Sequence, residues 1–236
     1  MKKFAFQFAL VAGALLANTV FAVEPKMPAT GPGASTQSDF HGIEFGVRVG
    51  YGIPLGTAGD NASLSDQIKG MIPFWADIGY RFDPNWYLGG FFQFGLGFVP
   101  SAASQPGGVC VTGVSCSVND LRFGLNVHYH FLPAEILDPW LGVGAGYEIL
   151  NLSASATGVS ASGSNRGFEF GNVQLGLDFK ISPAFGVGPF ATFTIAQFSD
   201  TSVSVNGQDV PFSYTNKAIH EWLIFGVRGV FDILLD

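Results

Sequence analysis

Residues 120–131 read DLRFGLNVHYHF, and this stretch decides the fold. Leu121, Phe123, Leu125, Val127, Tyr129 and Phe131 share one parity, while Asp120, Arg122, Gly124, Asn126, His128 and His130 share the other. A helix would place residues i and i+2 on nearly opposite sides, so it cannot sort these side chains into two faces. A β-strand does, because its side chains alternate. One face of this segment is then wholly apolar and the other polar or small.

The same alternation recurs at 43–51, 72–82, 86–98, 141–149, 172–181, 185–195 and 223–233. Each run meets or exceeds the ~9–11 residues that a tilted strand needs to cross a bilayer. The connections alternate too. Asp83-Pro84-Asn85 and Ser182-Pro183-Ala184 are tight turns and 132–139 is a modest one, whereas 56–70, 99–117, 151–166 and 199–218 are long and rich in Gly, Ser, Asn and Thr. Short periplasmic turns opposite longer outer loops are a property of outer-membrane barrels. The pattern predicts an all-β, eight-stranded antiparallel up-and-down transmembrane barrel over residues 41–236, with four surface loops.

Composition agrees. Mean hydropathy is +0.32 with only 12% charged residues. Beyond residue 22, however, no run reaches the ~18 apolar positions of a transmembrane helix. The apolar residues are spread along strands, and closed barrels and helices are the two structures that span a bilayer. A soluble all-β domain needs a polar outer face, and here the polar parity is mostly glycine. At the start, Lys2 and Lys3 precede an apolar run from Phe4 to Leu16, and Val20-Phe21-Ala22 supplies small residues at the −3 and −1 positions. This reads as a signal peptide over 1–22 cleaved after Ala22. Residues 23–40, rich in Pro, Gly, Ser and Thr, read as a disordered periplasmic leader. Loss of Lys2 and Lys3 leaves nine Lys+Arg against 18 Asp+Glu, which excludes a nucleic-acid partner.

Parity assigns the inward charges as Glu44, Arg48, Asp77, Arg81, Asp120, Arg122, Glu148, Asp178, Lys180, Arg228 and Asp232. An eight-stranded barrel is just wide enough for side chains to fill. Near-balanced charges in so narrow a lumen are expected to pair, since a buried charge without a partner costs several kcal/mol. This predicts a salt-bridged plug, closed by side chains rather than by a loop, in a structural or surface-interaction protein. The alternative is a narrow channel whose charges select ions.

His128 and His130 lie on one face, but two ligands do not define a zinc site, so no metal and no cofactor are expected. Gly142–Gly146 alternates glycines inside a strand, with no following helix and no lysine to make a phosphate loop. No Gly-x-Ser-x-Gly motif occurs, and the expectation is a protein that is not an enzyme. Cys110 and Cys116 form an even pair in an exported chain and are the disulfide candidate of the second outer loop. Aromatic girdles are expected at Tyr80, Phe82, Trp86, Tyr129, Phe131, Phe179 and Phe185 on the periplasmic side, and at Tyr51, Phe74, Phe94, Phe98, Tyr147 and Trp222 on the outer side.

The chain resembles the small eight-stranded outer-membrane barrels of the OmpA/OmpX/OmpW type. The likeness rests on 121–149, notably His128-Tyr129-His130-Phe131 and the stretch from Pro139 to Tyr147, and on the closing stretch from Trp222 to Phe231. The resemblance implies a place in the cell outer membrane. It implies contact with outer-membrane lipids and lipopolysaccharide, and delivery by the barrel-assembly machinery. The OmpW type implies, as the second reading, a channel for ions or small hydrophobic molecules. Such barrels commonly end on an aromatic residue, whereas this sequence ends Ile233-Leu234-Leu235-Asp236.

Overall fold

The computed structural model describes residues 41–100, 110, 113–212 and 214–234. The cleavage site at Ala22, the leader over 23–40 and the last two residues lie outside the described residues. Eight strands form the wall: β1 (Gly42–Gly59), β2 (Gly70–Arg81), β3 (Trp86–Phe98), β4 (Ser115–His130), β5 (Leu137–Ala156), β6 (Val159–Ser182), β7 (Phe185–Val205) and β8 (Ile219–Leu234). Each pairs antiparallel with its sequence neighbours, and β8 pairs with β1 from Gly42↔Leu234 to Gly56↔His220, which closes the ring. The eight predicted strands are all present, in the predicted phase.

Phase is visible in exposure. Ile78, Leu125, Val173, Leu175 and Val227 on the outward parity are each about half or more exposed, while the inward Glu44, Arg48, Asp77, Arg122 and Arg228 are buried. A fold whose apolar side chains face out and whose charges face in is inverted relative to a water-soluble domain. Only a lipid surround makes it favourable. Inward glycine lets large side chains cross the lumen: a Cβ at Gly176 would lie 2.5 Å from the indole of Trp140. At the seam, a Cβ on Gly226 would lie 2.1 Å from the carbonyl oxygen of Val49, so strand contact there requires glycine.

Two of the periplasmic turns are tight as expected, and the one expected over 132–139 is shorter, because β5 already starts at Leu137. In the first, Asp83 Oδ1 accepts hydrogen bonds from the backbone N–H groups of Asn85 (2.7 Å) and Trp86 (2.9 Å), an Asx turn. The outer side differs from expectation in three ways. The third loop, expected over 151–166, is a tight hairpin: β5 runs on to Ala156, Thr157 and Gly158 turn, and β6 starts at Val159. The fourth is partly sheet, because β7 extends to Val205 and, after Asn206-Gly207, a short strand Gln208–Val210 pairs back on it. The first carries a one-turn helix, α1 (Leu64–Gln67). As a result β5, β6 and β7 have 20, 24 and 21 residues, against 12 and 13 for β2 and β3. One side of the barrel therefore stands well above the other.

Candidate functional site

The lumen is filled by three linked clusters. Deepest toward the turns, Glu44 on β1 accepts from Arg81 on β2, at 3.1 Å from Nε and closer from Nη2, and from Arg228 on β8. Arg228 Nη1 also donates to Asp178 Oδ2 at 2.5 Å, and Arg81 lies 3.9 Å from Asp232. In the middle, Arg48 Nε donates to Asp77 Oδ2 at 2.8 Å and its Nη1 to Gln174 at 2.7 Å. Asp77 Oδ1 receives the Trp75 indole (3.1 Å) and the Asn126 amide (2.8 Å). The Arg48 guanidinium also lies over the rings of Trp75 and Trp140, 4.7 and 5.3 Å from their centroids, a cation–π arrangement strengthened by desolvation.

Toward the outer end, Arg122 serves three carboxylates: Asp120 (2.8 Å), Glu148 (2.9 Å) and Glu169 (3.4 Å). Thr194 accepts from it at 3.2 Å. Glu148 is held in turn by the Trp222 indole at 3.1 Å and lies 2.9 Å from His220 Nε2. Above this cluster the lumen turns apolar. Leu64 of α1, Ile68, Met71, Leu150, Phe198, Trp222 and Ile224 are fully buried together. Gln67 ties the helix across the mouth, accepting from Asn165 on β6 at 2.8 Å and donating to the Tyr214 hydroxyl at 3.0 Å.

Ten of the eleven parity-assigned charges fall into these clusters. Lys180 does not. Its ammonium donates to the carbonyl of Pro133 in a periplasmic turn, and it forms no ion pair among the described residues. Position 180 is the right parity but lies at the strand end, where a long side chain reaches the rim more easily than the lumen. Two lumen carboxylates had escaped the sequence: Glu169, and Asp138, which lies 2.9 Å from His130 Nδ1. The buried charge is therefore not near-balanced but acidic. Trp222, expected in the outer girdle, points inward and is fully buried. Closure by side chains alone is also corrected, since the first loop supplies an apolar cap. Cys110 and Cys116 are joined as a disulfide.

The molecule thus threads a network of buried arginines and carboxylates through an eight-stranded ring with an aromatic and aliphatic exterior. No curated protein matches this sequence. Among solved structures, the outer membrane protein OprG from Pseudomonas aeruginosa is similar with a TM-score of 0.50 and 12% identity, over 84% of this chain and 99% of that one. A major outer membrane protein from Thermus thermophilus has a TM-score of 0.48 at 10% identity, over 81% and 99%. Ail of Yersinia pestis has 0.45 at 16%, over 80% and 99%. The sequence profile of the outer membrane protein beta-barrel domain matches residues 6–219. The chain belongs to that family, and its place is the cell outer membrane.

Proposed function

We propose that this protein serves the cell envelope as a closed outer-membrane barrel that displays its outer hairpins at the surface, and not as an open pore. The observation that carries this reading is the lumen occupied along its length, by guanidinium–carboxylate pairs from Arg81 to Arg122 and by Leu64 and Ile68 above them. Small eight-stranded barrels have room for little else. The outward aromatic and aliphatic belt would meet outer-membrane lipids and lipopolysaccharide, after insertion by the barrel-assembly machinery. The reading is non-enzymatic: the lumen carboxylates are engaged by arginine, histidine, amide and indole partners. Planar-bilayer recording of the refolded protein tests it. No steady conductance is expected from the unmodified barrel. A steady current would overturn the reading and favour a narrow channel for ions or small hydrophobic molecules.

A further inference from the structure

Ring closure brings β1 against residues that the sequence places far from it. Glu44 stands with His128 and His130 of β4, and one ligand atom from each lies within 4.8 Å of the other two. All three side chains are buried. His130 Nε2 is 3.9 Å from Glu44 Oε2. The His130 ring is oriented from behind by Asp138, 2.9 Å from Nδ1, the carboxylate–histidine arrangement that aims the other nitrogen at a metal. His128 is fully buried, yet neither of its ring nitrogens has a hydrogen-bond partner among the described residues. It is held instead between two rings, stacked on Tyr87 and tilted against Trp140, with ring centroids 4.7 and 4.9 Å away. A buried imidazole with both nitrogens idle is costly, and a ligand at this point would remove that cost.

Charge points the same way. The inner half of the lumen sets Glu44, Asp77, Asp138, Asp178 and Asp232 against Arg48, Arg81 and Arg228. Even with Lys180 at the rim, positive charge is short.

We propose that Glu44, His128 and His130 bind one first-row divalent cation of the zinc class, in exchange for the Arg81 guanidinium. Arg81 Nη2 sits at this point now, bonded to Glu44 and 3.2 Å from His130 Nε2. Its second carboxylate, Asp232, is 3.9 Å away and partly exposed, so the displaced guanidinium has a partner to move to. Arg228 keeps Asp178 and the other Glu44 oxygen. Two imidazoles and one carboxylate, with a fourth position open, suit zinc and its neighbours in the series.

Cobalt(II) is the probe, titrated into the refolded, untagged barrel in detergent and read by its visible absorption. The chain has four histidines, His41, His128, His130 and His220, so background is limited. One saturating equivalent is expected, with bands of a low-symmetry nitrogen–oxygen site. Binding should be lost in His128→Phe, which retains a ring for the stack, and unchanged in His41→Asn. It should tighten in Arg81→Gln, which removes the competing cation and leaves Glu44 paired with Arg228. Absence of saturable binding to the unmodified barrel overturns the proposal, as does binding that survives His128→Phe or vanishes in His41→Asn. Should His128→Phe fail to refold, Arg81→Gln decides, and unchanged or weaker binding there overturns it.

Discussion

Arg122 is one cation among three carboxylates, whereas Arg48 faces a single one that has two further donors of its own. Truncation should separate them. Arg122→Ala leaves Asp120, Glu148 and Glu169 facing one another in a buried site, and a loss of about 3–5 kcal/mol is expected in urea unfolding of the refolded barrel. Arg48→Ala should cost less, because Trp75 and Asn126 still serve Asp77. Lys180→Ala at the rim should change stability by no more than about 0.5 kcal/mol; a loss as large as that of Arg122→Ala would show that it enters the lumen after all. Strand parity alone places most of these residues correctly. It misses Glu169 for a definite reason: Gly144 pairs with Asn172 but Gly146 pairs with Glu169, so the register slips within β6, and the bulge flips the phase. Asp138 is hidden beside Pro139, since proline argues against a strand interior.

At the scale of elements, the strands are legible wherever alternation is clean, and the outer ends are not. Serine- and alanine-rich stretches such as 151–165 have too little contrast between parities to announce a strand, although β5 and β6 pair through them to Ala156↔Val159. One signal was available: Asn206-Gly207, with φ of 52° and 78°, is the hairpin dipeptide that tight turns prefer. Gly207→Val forces a β-branched residue into the left-handed region. It should loosen the 205–208 turn to external protease while leaving the melting of the barrel unchanged. On the lipid side, Val173→Arg places a cation between Val143 and Phe193 in mid-wall and should cost about 2–4 kcal/mol. The α1 cap is not foreseen, because one helical turn is too short to leave a periodic signature. Leu64→Ala combined with Ile68→Ala should expose residues 60–69 to protease. Conductance should stay absent, because the guanidinium clusters lie beneath.

For the whole molecule, the expected laboratory signature is β-type circular dichroism, gel migration that shifts on heating, and recovery with the outer membrane as a mature chain starting at Val23. A helical spectrum would contradict the fold, and retention of Met1 would contradict the signal peptide. Reduction of Cys110–Cys116 should speed cleavage of the second outer loop without lowering barrel stability, because a bridge over six positions constrains little chain. The seam between β1 and β8 has a consequence in time. Its partners, from Gly42↔Leu234 to Gly56↔His220, lie at opposite ends of the folded sequence, so no part of that pairing can form early, and folding dominated by such distant contacts is slow. Until β8 arrives, β1 and β7 each present a row of unsatisfied backbone groups. The most vulnerable moment in the life of this protein is therefore the interval before closure, when a half-built sheet can still be joined by a stranger.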